Sequence, residues 1–302
     1  MEQRVGFLFP GQGSQFVGMA KDLYDREALA RERFQEANDI LGFDIADLCF
    51  NGPAEVLQLT AHTQPAILIH SVILWEILRQ RGIVPSAVAG HSLGEYSALV
   101  AGGSLPFADA VRLVYLRGQF MQEAVPVVVG AMAAILGLDR TQVEFACLDV
   151  IDEGVVQPAN YNCPGQLVIS GHASAVKMAM ARCLEKGAMK VIDLPVSAPF
   201  HCALMEPAAE RLQPELEKVT FADLQVPLIS NVEARPVPSK RHVPKLLVEQ
   251  VTAPVRWQEG MEMLVKMEME AVVEVGPGKV LSALMRRIDR SVKVLDPKDL
   301  LA

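Results

Sequence analysis

The chain contains few cysteines, and none of them has the spacing of a metal site. Its five cysteines among 302 residues are scattered and never form a Cys-x-x-Cys pair. This pattern argues against a disulfide framework or a cysteine zinc site, and it is typical of a reducing cytosol. We therefore expect a cytoplasmic protein that holds no metal.

Long apolar segments are also absent. The first apolar run, residues 5–9, is too short for the core of a signal peptide. The longest one, residues 124–138, is shorter than a membrane span and is interrupted by Pro126, Gly130 and Gly137. We expect neither export nor a membrane partner.

Positive charge is in deficit, with 28 Lys and Arg against 36 Asp and Glu and a net charge of -8. Because nucleic-acid binders neutralise phosphates with clustered basic side chains, this balance argues against a nucleic-acid partner. Gly11 and Gly13 lack the third glycine of a dinucleotide-binding loop, and no GxxxxGK[ST] sequence occurs. We expect no bound cofactor.

Apolar residues make up 51% of the chain, which is typical of a compact globular protein. Residues 5–9 and 86–90 are short apolar runs that predict buried strands, and residues 64–82 predict a buried helix with Pro65 in its first turn. Residues 95–101 and 107–123 predict two further helices. The order of these elements indicates an α/β fold.

The pattern changes between residues 130 and 196. Apolar runs at 131–136, 166–170 and 189–194 alternate with helical patterns after Asp139 and over 173–187. This order of strand, helix, strand, helix and strand predicts a small inserted α+β subdomain. Strand patterns then return at 227–231 and 271–275.

Residues 90–94, Gly-His-Ser-Leu-Gly, lie between a predicted strand and a predicted helix. A Gly-x-Ser-x-Gly turn in that position is typical of a nucleophile elbow, in which the small residues allow a tight turn that exposes the serine oxygen. The following helix begins at once, so its N-terminus faces the place where negative charge would form. The alternative is a serine that only caps the helix. We predict that Ser92 is a nucleophile.

A serine needs a base to become nucleophilic at neutral pH. Of the six histidines, His91 is adjacent to Ser92 and would point to the opposite face. His201, in the segment Ala-Pro-Phe-His, is a candidate base on its local context. The other four have no distinguishing context and fit core or surface positions equally well.

Arg117 lies on a mostly apolar helical segment, residues 110–121. Its side chain could extend to the surface along its aliphatic stem. Alternatively, its guanidinium could hold a carboxylate through two parallel hydrogen bonds. The residues alone leave both readings open.

Taken together, the motifs resemble those of the bacterial malonyl-CoA:acyl carrier protein transacylases of type II fatty acid synthesis, over nearly the whole chain. They lie at residues 9–15 (FPGQGSQ), 63–66 (TQPA), 90–94 (GHSLG), 115–118 (YLRG), 160–166 (NYNCPGQ), 198–201 (APFH), 230–234 (SNVEA) and 274–278 (EVGPG).

The resemblance implies a role for each matching residue. Ser92 would attack the malonyl thioester, His201 would be the general base, and Arg117 would hold the malonyl carboxylate. The main-chain carbonyl of Gln250 would orient His201, and the backbone N–H groups of Gln12 and Leu93 would form the oxyanion hole. The resemblance further implies three residues that line the cleft: Asn160, Asn162 and Gln166.

The resemblance also implies an α/β-hydrolase-like catalytic domain, residues 1–129 plus 197–302, with a ferredoxin-like subdomain inserted at residues 130–196. Malonyl-CoA would be the substrate, and the phosphopantetheine would be carried by the partner, acyl carrier protein. We expect the chain to act as a monomer.

A negatively charged enzyme needs a local basic surface to dock an acidic carrier. The candidates are Lys177, Arg182, Lys186, Lys190, Arg286, Arg287 and Arg290. These side chains could equally be solvated surface charges.

Three other functions remain open. A trans-acting acyltransferase of a polyketide synthase would use the same residues with another carrier. A serine esterase would need only the elbow and a base, although Arg117 and the lack of an evident acidic triad residue argue against it. A non-catalytic carrier-binding module would have no reason to retain Ser92 and His201.

We predict that Ser92→Ala abolishes acylation of the protein, because alanine has no oxygen to form the ester. Intact-protein mass spectrometry after mixing with malonyl-CoA should show a malonyl adduct on the unaltered chain and none on the variant. An adduct that persists on the variant would exclude Ser92 as the nucleophile.

Overall fold

The computed structural model describes residues 4–126, 128–196 and 198–301. In these residues the strands are β1 (Val5–Phe9), β2 (Ala87–Gly90), β3 (Gly130–Leu136), β4 (Val156–Cys163), β5 (Gln166–His172), β6 (Lys190–Asp193), β7 (Leu228–Ile229), β8 (Ala271–Glu274) and β9 (Lys293–Leu295).

The helices of the described residues surround two sheets. They are α1 (Lys21–Arg26), α2 (Ala28–Leu41), α3 (Ile45–Asn51), α4 (Ala54–Leu57), α5 (Thr60–Gln80), α6 (Gly94–Ala101), α7 (Phe107–Glu123), α8 (Arg140–Leu148), α9 (Ala173–Glu185), α10 (Glu206–Glu217), α11 (Val243–Thr252), α12 (Trp257–Lys266), α13 (Val280–Ile288) and α14 (Pro297–Leu301).

The larger sheet is parallel and has the strand order β7-β2-β1-β8-β9. Its inner strands are continuous apolar runs because helices cover both faces of the sheet. In a parallel sheet all the carboxyl ends lie at one edge, so the loops after β1, β2 and β7 meet there.

The smaller sheet is antiparallel, with the order β4-β5-β3-β6. The chain runs β3-α8-β4-β5-α9-β6, which is the ferredoxin-like order. One face packs on α8 and α9 through residues such as Ile135 and Val176. The other face, through Met132 and Val168, joins the main core. The predicted fold class, a parallel α/β domain with a ferredoxin-like subdomain, is confirmed.

Two local expectations from the sequence differ from the structure. β4 was not predicted, because Pro158 and two asparagines disfavour a strand, but an edge strand tolerates a proline. Pro65 is not in the first turn of its helix, because α5 begins earlier, at Thr60. The backbone N–H groups of His62 and Thr63 both donate to the carbonyl of Leu59, which adds this turn.

The predicted domain limits include positions that the structure does not describe. Residues 1–3, 127, 197 and 302 lie outside the described residues, and with them the predicted boundary at residue 197. All five cysteines are buried and unpaired. None of the helices in the described part of the chain is both long enough and apolar enough to cross a membrane.

Candidate active site

Ser92 occupies a strained turn between β2 and α6. Its φ is +52°, in the left-handed region that side chains with a Cβ seldom adopt. A Cβ on Gly90 would overlap the backbone of Gly94, and a Cβ on Gly94 would overlap the carbonyl of Phe9. Both positions therefore require glycine, and the turn has the shape of the predicted nucleophile elbow.

Asn231 holds this turn from the neighbouring strand. It follows β7, which pairs with β2. Its Oδ1 accepts a hydrogen bond of 2.7 Å from the Ser92 N–H, and its Nδ2 donates to the Gly90 carbonyl at 2.6 Å. Asn231 was not predicted as a site residue. The available signal was a polar residue at the end of the predicted strand 227–231, at the carboxyl edge of the sheet.

His201 lies next to the serine. The Ser92 hydroxyl lies 2.8 Å from the Nε2 atom of His201, and the Nδ1 atom lies 2.8 Å from the main-chain oxygen of Gln250. Because a carbonyl can only accept, Nδ1 carries the proton and Nε2 presents its lone pair to the serine. The structure thus brings together the three residues predicted as nucleophile, base and orienting carbonyl.

The imidazole of His201 is neutral near physiological pH. Burial in a low-dielectric environment, together with the positive charge of Arg117, lowers the pKa of His201 to about 3. The hydrogen bond to the Gln250 carbonyl partly opposes this shift. Near neutral pH the ring is therefore in the neutral form, which can accept a proton.

Arg117 is buried, with 2% of its surface exposed, and its side chain extends from α7 to Ser92. Nη1 donates to Oε1 of Gln64 at 2.7 Å, and Nη2 donates to Oε1 of Gln250 at 2.9 Å and to Oγ of Ser92 at 3.1 Å. Nε has no partner in the described structure. Among residues 4–126, 128–196 and 198–301, no carboxylate forms an ion pair with Arg117.

An unpaired buried cation is costly, because water is removed and no anion replaces it. Here burial lowers the pKa of Arg117, yet a guanidinium stays protonated in proteins. The neutral amides of Gln64 and Gln250 satisfy only part of its donors. The nearby carboxylate of Glu95 raises the pKa of Arg117 without forming an ion pair with it, so the guanidinium can still accept an anionic group beside Ser92.

The predicted oxyanion-hole residues lie at the elbow. Leu93 directly follows Ser92, and Gln12 follows Gly11, where a Cβ would lie only 2.5 Å from the carbonyl oxygen of His91. Within the described part of the chain, neither the Gln12 nor the Leu93 backbone N–H has a hydrogen-bond acceptor. Both donors are free to bind a ligand oxygen, and their catalytic role stays a prediction.

The predicted cleft residues are not all close to the elbow. Asn162 is buried, and its Oδ1 accepts from Nε2 of His91 at 2.9 Å, so that it connects the smaller sheet with the elbow. Asn160 is buried on the same strand. Gln166 instead accepts from Nη1 of Arg287 at 2.5 Å, and no hydrogen bond of the described residues joins it to Ser92, His201 or Arg117.

Comparison with known proteins gives a consistent result. The sequence model of the family described as acyl transferase domain matches residues 6–301. The malonyl CoA-acyl carrier protein transacylase of Bacillus subtilis is 47% identical over 98% of this chain and 94% of the relative. The protein with the same name from Escherichia coli K12 is 49% identical over 94% of this chain and 93% of the relative.

Solved structures agree with these sequence matches. The malonyl CoA-acyl carrier protein transacylase of Coxiella burnetii superposes with a TM-score of 0.97 at 41% identity, over 99% of this chain and 96% of that one. A complex of a type II polyketide acyl carrier protein with its malonyl-transacylase has a TM-score of 0.95 at 43% identity, over 97% and 96% of the two chains.

We predict that Asn231→Ala slows reaction at Ser92, because the elbow loses an acceptor for the Ser92 N–H and a donor to Gly90. Labelling of Ser92 by a fluorophosphonate probe should slow by about 100-fold, and the free energy of unfolding should fall by about 1–3 kcal/mol.

The matched control is Asn38→Ala, which removes an amide that accepts from the backbone N–H of Ile45 at 2.9 Å, far from the site. This variant should lose stability and keep the wild-type labelling rate. Equal labelling rates for both variants would show that Asn231 does not support the nucleophile.

Proposed function

Because the chain belongs to the acyl transferase domain family, we propose that it transfers a malonyl group from malonyl-CoA to the phosphopantetheine thiol of acyl carrier protein. This reaction supplies the elongation unit for fatty acid synthesis. The enzyme acts as a cytoplasmic monomer without a bound cofactor, since the phosphopantetheine is carried by the partner. It divides into a catalytic domain, residues 1–129 plus 197–302, and a subdomain, residues 130–196.

The observation that carries this proposal is the buried, unpaired guanidinium of Arg117, whose Nη2 lies 3.1 Å from Oγ of Ser92. A malonyl group differs from an acetyl group by one carboxylate. When that carboxylate pairs with Arg117, the acyl carbonyl lies beside the serine oxygen. The pairing also removes the cost of leaving the cation without an anion.

In the first half-reaction Oγ of Ser92 bonds to the thioester carbon while its proton moves to Nε2 of His201. The backbone N–H groups of Gln12 and Leu93 stabilise the oxyanion. The C–S bond then breaks, and the CoA sulfur takes the proton from His201. In the second half the carrier thiol repeats these steps in reverse, which gives ping-pong kinetics.

Arg117 also links the substrate to the base. Its positive charge helps to depress the pKa of His201. A bound carboxylate compensates part of that charge, so the His201 imidazole becomes a stronger base when a carboxylated acyl group is present. Acetyl-CoA lacks this effect, and malonyl selectivity therefore includes a rate component as well as a binding component.

Asn160, Asn162 and Gln166 line the cleft for the acyl and pantetheine groups. Asn162 is already held at the elbow by His91. Gln166 is bound through Oε1 to exposed Arg287 of α13, and its amide N–H groups can still donate to a pantetheine carbonyl. We therefore assign Gln166 to the outer end of the cleft.

A second candidate is malonyl transfer to a polyketide carrier protein. It is favoured by the similarity to the malonyl-transacylase that was solved with a type II polyketide carrier. The two functions share every catalytic residue. Transfer rates to a panel of fatty acid and polyketide carrier proteins would distinguish them.

A serine esterase is less consistent with the site. The Nδ1 partner of His201 is a carbonyl, not a carboxylate, and a cation lies beside the nucleophile. Rapid release of free malonate in the absence of a carrier would favour the esterase.

We predict that Arg117→Ala impairs malonyl transfer far more than acetyl transfer. Loss of the partner of a buried carboxylate costs about 2–5 kcal/mol, which corresponds to about 30-fold or more in kcat/KM. Acyl-enzyme formation from malonyl-CoA and from acetyl-CoA should be measured by quenched-flow mass spectrometry.

The matched control is Arg112→Ala on the same helix, because Arg112 is partly exposed and pairs with Glu215 at 3.2 Å. It should leave the malonyl-to-acetyl ratio unchanged. Equal losses with both substrates in Arg117→Ala would contradict the assigned role.

The structure divides the candidate docking residues into two groups. Arg182 pairs with Glu185, Lys186 with Asp149, and Arg287 with Gln166. Four exposed members of the set form no ion pair among the described residues: Lys177, Lys190, Arg286 and Arg290. These four are the better candidates for an acidic carrier protein.

We predict that replacing any of these four by glutamate raises the KM for holo-carrier protein by about two- to fivefold, as is typical of rim charges. The rate of acyl-enzyme formation from malonyl-CoA should not change. Lys266→Glu is the control, because exposed Lys266 ends α12 just before β8, at the opposite edge of the sheet. If acyl-enzyme formation falls by the same factor as transfer, the docking role is wrong.

A further inference from the structure

Glu95 is a buried carboxylate next to the catalytic group and has no role in the proposed mechanism so far. It lies in the first turn of α6 with 2% of its surface exposed. Its Oε2 accepts from Nε2 of Gln250 at 2.6 Å, and its Oε1 accepts from the backbone N–H of Asn231 at 3.3 Å. Among the described residues it forms no ion pair.

This contact is one of three that determine which way the side-chain amide of Gln250 points. Nε2 of Gln250 donates to Glu95 and also to the main-chain oxygen of Ser92, at 3.0 Å. A carboxylate can only accept, so the amide nitrogen must face Glu95. Oε1 of Gln250 must then face Arg117, where it accepts a hydrogen bond of 2.9 Å.

Gln250 therefore connects Glu95 with both Arg117 and His201. Its side chain holds Arg117, and its main-chain oxygen holds Nδ1 of His201. A flipped amide would place an N–H group against the guanidinium and leave Glu95 without its donor. The buried carboxylate thus acts with Arg117 and the Ser92 carbonyl to hold the residue that supports both Arg117 and His201.

The charges around Glu95 are few. β1, β2, α5 and α7 pack against α6, and the charged side chain of these elements that acts on Glu95 is Arg117. Tyr96 on the same helix is neutral, since burial raises the pKa of its hydroxyl. Burial lowers the pKa of both His91 and His201, so these rings are also neutral. The site contains one cation and one carboxylate.

A malonyl carboxylate would add a second anion beside the single cation. Burial already raises the pKa of Glu95 to about 7, although the hydrogen bonds from Gln250 and Asn231 and the charge of Arg117 oppose this shift. Like charges that share a buried site cannot both stay ionised at little cost. The group that can give up its charge is Glu95.

We propose that Glu95 is a positioning and charge-balancing residue, which orients the Gln250 amide toward Arg117 and takes up one proton from solvent when a substrate carboxylate joins Arg117. This inference rests on the proposed function. The proton enters from water onto an oxygen of Glu95, and the protonated carboxyl keeps an acceptor oxygen for Gln250. Acyl transfer itself releases no net proton, because the serine proton leaves with the CoA thiol.

The test uses the unaltered protein at about pH 7, mixed with malonyl-CoA or acetyl-CoA in weak buffer with a pH indicator. Acetyl-CoA is the matched control, because it carries the same CoA and lacks the carboxylate. At that pH half of the Glu95 side chains already carry the proton, because their pKa is about 7. Only the ionised half can take one up, so uptake should approach about 0.5 proton per malonyl-enzyme and about zero per acetyl-enzyme. Mass spectrometry of the same samples counts the adducts.

The outcomes are distinguishable. Malonyl adduct formation with proton uptake supports the inference. Adduct formation without uptake overturns the inference and leaves the proposed function intact. If no malonyl adduct forms, the proposed function fails, and this inference fails with it.

A second measurement compares Glu95→Gln with Glu76→Gln. Glu76 is also buried but pairs with Arg33 on the far side of α5, at 2.6 Å. The quantity to compare is the half-saturating concentration of malonyl-CoA divided by that of acetyl-CoA. In the unaltered protein and in Glu76→Gln this ratio should rise about tenfold from about pH 6 to pH 8.5. The rise corresponds to a shift of about one unit in the pKa of Glu95 when malonyl-CoA binds.

In Glu95→Gln this malonyl-specific rise should disappear, because the variant has no group to protonate. A rise that persists in Glu95→Gln assigns the titration to another group and overturns the proposal. If the variant does not fold, the proton-uptake measurement on the unaltered protein still decides the question.

Discussion

The site depends on one electrostatic constraint, the burial of the Arg117 guanidinium without an anion in contact. Neutral amides from Gln64 and Gln250 hold it in place, and Nη2 lies 3.1 Å from the serine oxygen. An amide carbonyl stabilises a cation less than a carboxylate does. The cation therefore remains available for an anionic group, and its charge adds to the effect of burial, which is the main cause that lowers the pKa of His201.

The second constraint is a strained backbone that its neighbours restrain. Ser92 and His201 have φ values of +52° and +59°, and such residues cost about 1–3 kcal/mol each. The strain is tolerated because Asn231 binds both sides of the elbow and because the Gln250 carbonyl binds the imidazole. These restraints come from the loop after β7 and from α11, so the geometry at Ser92 depends on parts of the chain that are distant in sequence.

Much of the fold could be predicted from sequence periodicity. The strands β1 and β2 and the helices α6 and α7 coincide with the predicted elements. Buried strands and helices can be predicted well because their apolar residues recur at the period of the element. β4 could not be predicted, since Pro158 and its asparagines carry turn signals and only the edge position in the sheet makes them acceptable. The extra turn of α5 depends on hydrogen bonds to Leu59 that no pattern shows.

The sequence alone predicted Ser92 as the nucleophile and the tight turn around it, because that turn is a local property of residues 90–94; the structure shows the turn, and the catalytic role stays a prediction. With the family resemblance the sequence also indicated His201 and Arg117. Only the tertiary structure showed that Arg117 is buried without an ion pair among the described residues. It also showed that Asn231 binds the Ser92 turn and that Glu95 accepts a hydrogen bond from Gln250. Asn231 and Gln250 lie more than a hundred residues from Ser92 in the chain. Charge balance in a buried site is a property of the side chains that folding brings together, and local sequence does not contain it.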